Sequence, residues 1–315
     1  MRSLLLVDDT SFYPETSRVD VFNIYKKYGL ILRGVRFLHH RFNILPSFKY
    51  IWYDEWKKTV HIYDKIVIFD TIFDLSTLDY IRNRNKSVEL IFCYRNKVVL
   101  DSRKKRPVVS PEFVREAYKC QLYSYNREDC YKYNMTYYNQ FFSFDLNLIK
   151  YRDNIQHDLF FIGNDRRRLA GLMRLADVFS QKGLSYKIMV VPDSNKRYTQ
   201  NEKLFLSHAI SYSEVLYNIA VSRCVVDFVT DSNYGLTYRP VEALMMRKKL
   251  MTNYSDIISY EFYRKENIFI IWKDNFDSLK DFIYSDYINI PKETLNKYTF
   301  DGFINTLFHE TIFAQ

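Results

Sequence analysis

The residues after Gly235 have the types and spacing of a site for an anionic ligand. Thr237 precedes a predicted helix, and Pro240 stands in the first turn of that helix. Threonine before a helix and proline inside its first turn mark an exposed amino terminus, where backbone amides and the helix dipole favour negative charge. Because Tyr238 and Arg239 stand at the same end, this stretch predicts a site that holds a diphosphate.

Glu242 is the candidate contact for the sugar part of a nucleotide, since it follows roughly one helical turn after this amino terminus. A carboxylate accepts hydrogen bonds from sugar hydroxyls when the diphosphate lies on the helix end. A glutamate near a helix start also stabilises the helix dipole by about 0.3–1 kcal/mol without any ligand. The residue type alone therefore leaves both interpretations open.

A second loop of this kind begins at Gly163, directly after a predicted strand. It continues with Asn164 and three arginines, Arg166–Arg168, and leads into a predicted helix. Consecutive arginines point in different directions along a helix, so we expect only one or two of them, Arg167 included, to contact the ligand. A glycine turn followed by a solvated basic helix start fits the same residues.

Aspartates that follow strands of the first half are the candidate general bases for an acceptor hydroxyl. Asp9 follows one predicted strand and Asp70 follows another. A general base must reach the hydroxyl proton, and carboxylates at strand ends are suitably placed for that. We favour Asp9 and Asp70 as catalytic residues over the pair His39 and His40, whose neighbours are basic and apolar. Capping of its own loop is the competing interpretation for each aspartate.

Short apolar runs alternate with amphipathic segments along the chain, which is typical of α/β domains with parallel sheets and helical crossovers. The predicted strands are Ser3–Val7, Lys65–Phe69, Val88–Cys93, Asp158–Ile162, Tyr186–Val191, Cys224–Val229, Lys249–Thr252 and Asn267–Ile271. The predicted helices are Val21–Tyr28, Tyr53–His61, Ser76–Asn85, Arg167–Gln181, Ser213–Ser222, Thr237–Arg247 and Leu295–Phe313. A polar, Tyr-rich segment, Tyr118–Ser143, separates the halves, and we place the boundary between domains 1–152 and 153–315.

Charge is distributed unevenly over the 315 residues. Residues 1–150 contain 25 Lys and Arg against 17 Asp and Glu, whereas residues 151–315 contain 21 against 20. The excess of positive charge in the first half suits an anionic partner, which is nucleic acid, a phospholipid surface or a phosphorylated substrate. A solvated basic face fits the same counts.

Several functional classes lose their main support because their motifs do not occur. The 7 glycines form neither GxGxxG nor GxxxxGK[ST], so a dinucleotide fingerprint and a Walker loop are nearly excluded. The 4 cysteines form no CxxC pair and no secretory signal precedes them, which indicates a reduced, cytoplasmic protein. No apolar stretch is long enough to span a bilayer.

The run from Gly235 to Tyr263, GLTYRPVEALMMRKKLMTNYSDIISYEFY, resembles the donor-binding domain of bacterial GT-B glycosyltransferases. The enzymes concerned are those of lipopolysaccharide and capsular polysaccharide biosynthesis. The shared pattern is Gly-Leu-Thr, Arg, Glu-Ala-Leu, Lys-Lys-Leu, Thr-Asn and Asp-Ile followed by Phe-Tyr, and weaker similarity extends over residues 118–272. The resemblance implies two Rossmann-like domains that face each other across a cleft, with a C-terminal helix crossing back to the first domain.

The resemblance also implies roles for individual residues. Glu242 takes the place of the carboxylate that contacts the nucleotide ribose, and Thr237 and Arg239 lie beside the diphosphate. Tyr212 borders the base, where it either stacks on the base or fills the core. Retaining enzymes of this fold often carry another glutamate eight positions before the first, and here that position is Tyr234. No Asp-x-Asp occurs, so the metal-bridging signature of the other large glycosyltransferase fold is missing.

We therefore expect a metal-independent glycosyltransferase, with a hexose as the transferred group, a UDP-sugar as donor and no other cofactor. The acceptor would be a surface polysaccharide or a lipid-linked glycan, and the basic and apolar segment Val21–Phe48 would rest on the anionic inner face of a membrane. No recognition helix, zinc motif or RNP signature supports nucleic acid as a partner. The alternatives are a nucleic-acid-binding protein that uses the basic first half, and an inactive nucleotide-sugar-binding scaffold.

Overall fold

The computed structural model describes residues 2–14, 16, 18–72, 74–98, 110–143, 150–151, 153–230 and 235–308. Contacts divide the chain into two compact units. The first contains the chain up to Asn139 together with the end of the last helix, from Thr306, and the second runs from Gln140 to Asn305. The predicted boundary, residue 152, lies outside the described residues.

The first unit contains a six-stranded sheet in which all pairings are parallel. Its strands are β1 (Ser3–Val7), β2 (Asp20–Asn23), β3 (Lys65–Phe69), β4 (Glu89–Tyr94), β5 (Gln121–Ser124) and β6 (Thr136–Tyr137). The strand order is β2-β1-β3-β4-β5-β6. Every residue of β1 and β3 is buried, which explains why both strands read as nearly continuous apolar runs.

Helices of the first unit connect these strands. They are α1 (Leu30–Phe42), α2 (Trp56–Thr59), α3 (Ser76–Arg84), α4 (Pro111–Tyr118) and α5 (Arg127–Tyr133). Short 3₁₀ segments lie at Thr10–Phe12, Pro46–Trp52 and Val60–Ile62. Among the residues of α1 only His40 is buried, so this helix leaves most of its surface exposed.

The second unit contains a five-stranded parallel sheet. Its strands are β7 (His157–Asn164), β8 (Tyr186–Val191), β9 (Ser222–Asp227), β10 (Lys249–Thr252) and β11 (Ile268–Ile270). The order β11-β10-β9-β7-β8 is that of a doubly wound domain, with its topological switch point between β7 and β9. In the first unit the corresponding switch point lies between β1 and β3.

The helices of the second unit begin with α6, whose apolar residues at helical spacing are buried against the sheet. Gly183, at φ +65°, follows the end of α6 in the left-handed conformation. The described helices are α6 (Leu169–Gln181), α7 (Gln200–Lys203), α8 (Tyr212–Ala220), α9 (Tyr238–Met245), α10 (Leu279–Tyr284), α11 (Lys292–Asn296) and α12 (Phe300–Phe308). The end of α12, from Thr306, belongs to the first unit. Further 3₁₀ turns lie at Ser255–Ser259 and Phe276–Ser278.

Two predictions for the first unit are wrong. The segment Val21–Tyr28 is not a helix, because Asp20–Asn23 forms an edge strand, β2, beside β1. The segment Tyr118–Ser143 contains the division between the units, after Asn139, but the larger part of it is not a separator, because it supplies β5, α5 and β6 of the first unit. Both errors have the same cause, since pairing with a distant strand overrides the local pattern.

Two element boundaries in the second unit also differ from prediction. Ser222 begins β9 and does not end the preceding helix. The predicted terminal helix is two helices, α11 and α12, and residues 309–313 of it lie outside the described residues. No described helix combines the length and the apolarity needed to cross a membrane.

Candidate functional site

The predicted donor-binding residues gather at the switch point of the second unit. The helix after β7 packs on one face of the sheet and the helix after β9 on the other, and ligands of doubly wound sheets bind outside the strand ends at such a point. Gly163 and Asn164 end β7, and Thr237 and Arg239 lie where the connection from β9 enters α9. Residues 231–234 of that connection, Tyr234 among them, lie outside the described residues.

Glu242 is the centre of a buried polar group on α9. The residue is 1% exposed, and the Arg239 side chain, one turn earlier on α9, donates to its Oε2 at 2.5 Å. The Tyr212 hydroxyl, at the start of α8, donates to Oε1. Burial and the Glu242 carboxylate raise the pKa of Tyr212, so its hydroxyl stays protonated and remains a donor. Tyr212 thus holds Glu242 in place, and the residue is also packed against the core.

Two guanidinium groups lie at the carboxyl end of β7. Arg239 reaches the carbonyl oxygen of Ile162 at 3.4 Å, and Arg168 donates to the carbonyl oxygen of Asn164 at 2.9 Å and to that of Phe228 at 3.2 Å. Arg168 thereby links the ends of β7 and β9. Burial, followed by the positive charges of Arg166 and Arg239, lowers the pKa of Arg168. Glu242 balances the charge of Arg239, so the positive charge of the partly buried Arg168 is what favours the binding of an anion at this strand end.

The end of β9 fixes the start of α9 through Asp227, which is 6% exposed. Its Oδ1 accepts the Thr237 hydroxyl and its Oδ2 accepts the Thr252 hydroxyl, both at 3.0 Å. Burial raises the pKa of Asp227, and these hydrogen bonds partly offset that effect. Thr237 is the residue before α9, as predicted, but its side chain makes no capping bond to the helix. The hydroxyl is directed to Asp227, and this bond ties the residue before α9 to the end of β9.

The start of α6 differs from the site that the sequence predicts there. The buried Asp165 carboxylate already accepts the Leu169 amide at 3.0 Å, so this helix end is occupied by the protein's own anion. Arg167 is exposed and lies at φ 68° in the turn, whereas the Arg168 guanidinium lies at the strand ends. The contribution of this loop to the site is therefore the Arg168 side chain, and the amides of α6 do not add to it.

Gly163 makes room for that guanidinium. A Cβ at this position would lie 2.9 Å from Nη2 of Arg168. We expect Gly163→Ala to displace the Arg168 side chain and to weaken binding of a nucleoside diphosphate roughly tenfold, because one charge-assisted contact moves away. Calorimetric titration with UDP measures this. The melting temperature should stay within about 2 °C of the native value, since only the end of a flexible side chain has to move. Unchanged affinity would show that Arg168 does not contact the ligand.

In the first unit, Asp9 caps its own loop. Its Oδ1 accepts the Ser11 amide at 3.1 Å and the Ser11 hydroxyl at 2.8 Å, and Lys27 pairs with it at 3.0 Å. Burial acts to raise the pKa of Asp9, but the bonds from Lys27 and Ser11 outweigh it and leave the pKa below its usual value. A carboxylate already engaged by a cation and held at low pKa is a weak base.

We accordingly expect Asp9→Asn to keep kcat within about threefold of the native value, since asparagine caps a turn as well as aspartate does. Initial rates with saturating donor and acceptor measure this. A fall in kcat of about 10²-fold or more would identify Asp9 as the base.

Asp70, at the end of β3, is in a different environment. Burial raises its pKa from 3.8 to about 6, although its Oδ1 accepts the Arg95 amide at 3.0 Å and its Oδ2 lies 3.5 Å from the Asn96 side-chain amide. The backbone amide of Asp70 is bonded to Cys93 of β4, which fixes the residue at the sheet edge. A carboxylate with its pKa near 6 has the ionisation of a general base at neutral pH.

A cavity of about 540 Å³ is lined by residues from 40–53 and by residues from 74–83, and the second of these segments follows Asp70 in the chain. Tyr50 and Tyr80, whose rings stack at 6.2 Å, line it together with Asn83. On another side Asp74 accepts a hydrogen bond from Lys49 and pairs with His40 at 3.1 Å. His40 is therefore bonded within the protein, to Asp74, and His39 accepts the indole N–H of Trp52 at 2.7 Å.

Sequence reasoning missed three residues of these sites. Asp227 interrupts the apolar predicted strand Cys224–Val229. A carboxylate in such a strand needs hydrogen-bond partners, and this could have singled the residue out from the sequence. Asp165 and Arg168 stood within the loop already singled out, but the direction of each side chain depends on left-handed backbone angles at Arg166 and Arg167. Such angles are uncommon outside glycine, so the sequence contained no sign of them.

The sequence matches no known family model and no curated protein. Its structure is similar to that of an alpha-glucosyltransferase solved with UDP and a 13-mer DNA, with 14% identity, a TM-score of 0.54, and 97% of this chain and 89% of the other covered. Sucrose-phosphate synthase from Thermosynechococcus elongatus has 11% identity and a TM-score of 0.54, with 98% and 88% covered. HepE from Anabaena, in complex with UDP and glucose, has 13% identity and a TM-score of 0.51, with 99% of each chain covered.

At these identities the similarity establishes the fold. The chain has two Rossmann-like α/β domains, as the GT-B glycosyltransferases do, and the prediction of fold class is confirmed. The roles of the individual site residues stay predictions.

Proposed function

We propose that this protein is a glycosyltransferase that moves a sugar, a hexose in the first instance, from a nucleoside diphosphate donor to a hydroxyl of a glycan. The observation that supports this most strongly is the pair Arg168 and Arg239 at the end of β7, beside the buried Glu242. One cationic pair suits a diphosphate, and the adjacent carboxylate suits a ribose. UDP is the favoured nucleotide because two of the similar solved structures contain it.

In this reaction the bond between the sugar and the diphosphate breaks, and negative charge develops on the departing diphosphate. Fixed cations already in place lower the barrier, because they need no reorganisation when the charge appears. Arg168 and Arg239 supply that stabilisation, together with the amino terminus of α9. The proposed reaction needs no divalent cation, and activity should accordingly persist in EDTA.

The acceptor hydroxyl loses its proton as its oxygen forms the new glycosidic bond. We assign the base to Asp70, whose pKa of about 6 leaves it mainly ionised at pH 7. The cavity lined by Tyr50, Tyr80 and Asn83 suits a saccharide, because aromatic faces pack on sugar C–H groups and amides bind hydroxyls. A surface polysaccharide or a lipid-linked glycan at the inner face of a membrane is the acceptor that we favour.

DNA is the second candidate acceptor. One of the similar solved structures contains DNA, and the excess of positive charge in residues 1–150 would suit a phosphate backbone. An inactive nucleotide-sugar-binding scaffold is the third candidate. Transfer from radiolabelled UDP-sugar to glycan or to duplex DNA separates the two acceptors, and donor hydrolysis separates an enzyme from the scaffold.

The test begins with the donor and needs no knowledge of the acceptor. UDP and UDP-hexoses should raise the melting temperature, because ligands that bind only the native state stabilise it through linkage. The enzyme should also hydrolyse its own nucleotide-sugar donor slowly when no acceptor is present. EDTA should not change the rate at which UDP is released. If no nucleoside diphosphate raises the melting temperature and no nucleotide sugar is hydrolysed, the proposal is wrong.

A further inference from the structure

The first unit has an exposed apolar surface, which we define as residues 30–51 and call the apolar helix surface. It comprises α1 and most of the 3₁₀ segment Pro46–Trp52. Leu30 and Ile31 are each 83% exposed. The other large apolar residues exposed on this surface are Leu32, Val35, Phe37, Leu38, Phe42, Ile44, Leu45, Phe48, Tyr50 and Ile51. Scattered apolar residues are normal on a protein surface, but twelve large apolar residues exposed within 22 residues of the chain indicate a binding surface.

The surface is firmly attached to the rest of the unit. His40 of α1 pairs with Asp74 at 3.1 Å, and the Trp52 indole donates to His39 at 2.7 Å. The Trp52 carbonyl accepts the Lys26 amide at 2.9 Å. The exposed leucines and phenylalanines therefore lie on an anchored element, and their exposure is a feature of the folded unit.

Charge identifies the kind of partner. No acidic residue occurs between Asp20 and Asp54, whereas this stretch holds six Lys and Arg residues and two histidines. Two of the six are engaged within the protein, since Lys49 is buried against Asp74 and Lys27 pairs with Asp9. The other four are Lys26, Arg33, Arg36 and Arg41, of which Arg33 and Arg41 are exposed. A helix with exposed apolar residues and only positive charges is the type that lies in the interface of an anionic bilayer. A nucleic acid would use the arginines but would leave the leucine and phenylalanine side chains without an apolar partner.

We propose that the apolar helix surface docks on an anionic phospholipid bilayer, with Leu30 and Ile31 inserted among the acyl chains and Arg33 and Arg41 at the headgroups. The inference rests on the proposed function, in which the acceptor lies at the inner face of a membrane. The apolar helix surface is the part of the protein that would contact that membrane. Docking does not depend on donor binding, so the two can fail separately.

The test is co-sedimentation with vesicles of phosphatidylcholine and phosphatidylglycerol, compared with vesicles of phosphatidylcholine alone. We expect more protein to co-sediment with the anionic vesicles than with the neutral ones, and we expect added salt to reduce this difference. The double variant Leu30→Ser/Ile31→Ser should lose roughly tenfold or more in binding to anionic vesicles. Leu204→Ser is the matched control, since Leu204 is 82% exposed but lies in the second unit, and it should bind as the native protein does.

Arg33→Gln/Arg41→Gln separates the two contributions, because it should lower binding to anionic vesicles and leave the weak binding to neutral vesicles unchanged. Equal binding to both kinds of vesicle, or native binding by the Leu30→Ser/Ile31→Ser variant, would overturn the proposal. A native dimer that the same variant dissociates, without vesicle binding, would assign the surface to a second copy of the chain. UDP affinity should be native in all these variants, so failure of docking leaves the proposed function standing.

Discussion

Replacing Asp70 by asparagine should lower kcat by about 10²- to 10⁴-fold and leave UDP affinity within about twofold of native. Asparagine keeps the shape of the side chain and can still accept from the Arg95 amide. It cannot take a proton from an acceptor hydroxyl. The measurement is a steady-state rate with saturating donor and acceptor, alongside UDP titration. Asp9→Asn is the control, because Asp9 also follows a strand of the same sheet but is engaged by Lys27.

The pH dependence of kcat provides a second readout. A base must be ionised to act, so kcat of the native enzyme should rise with pH through about 6 and then level off, as expected from the pKa of Asp70. In Asp70→Asn that rise should disappear. A variant that keeps both native turnover and the rise near pH 6 would remove Asp70 as the base.

Asp70→Asn should stabilise the folded protein at high pH, although it lowers turnover. The pKa of Asp70 is raised from 3.8 to about 6 on folding, so the folded state binds its proton more tightly than the unfolded state does. That contribution to stability is fully present below pH 3.8 and is lost as the pH rises to about 6. Above this range a buried ionised carboxylate is a cost that asparagine does not have. The variant should therefore melt at a higher temperature than the native protein at pH 8, and this difference should shrink in acid.

Arg168→Gln should lower kcat/KM by about 10²- to 10³-fold, because it removes a fixed cation from the developing charge on the leaving group. UDP should also bind more weakly. Arg167→Gln is a closely matched control, since it removes the same charge from the neighbouring, exposed position, and it should change kcat/KM by less than about twofold. The sequence motif predicts Arg167 as the ligand contact, whereas the structure places Arg168 at the strand ends. The two variants therefore show which of these arginines binds the ligand. Equal losses in both would indicate a general effect of net charge, with no specific contact by Arg168.

The strands of the second unit were the part of the fold that the sequence predicted best. Lys249–Thr252 is a buried strand and Tyr186–Val191 is a partly buried edge strand, and the apolar residues of both runs predict strands. The edge strand β2 was not predictable, since Asp20–Asn23 becomes a strand only by pairing with β1. Exposure of α1 was also undecided in the sequence, because a core helix and an interfacial helix share the same amphipathic composition.

The donor site was predictable in its residue types and less so in its contacts. The spacing of Arg239 and Glu242, three residues apart on a helix, brings their side chains together by helical geometry alone. The bond between Tyr212 and Glu242 joins residues 30 positions apart and depends on how α8 packs beside α9. Asp9 and Asp70 likewise look alike in sequence. Burial and neighbouring donors separate them, and those come from the completed fold.

The central claim is that the carboxyl ends of β7 and β9 hold a nucleoside diphosphate, and a crystal structure of the protein with bound UDP tests it most directly. We predict that the diphosphate oxygens lie within hydrogen-bond distance of the Arg168 guanidinium, at the end of β7, and of the Arg239 guanidinium, at the start of α9. The ribose should lie on the side of Glu242. A UDP molecule bound elsewhere, with Arg168 and Arg239 still bonded only to the protein, would contradict the account.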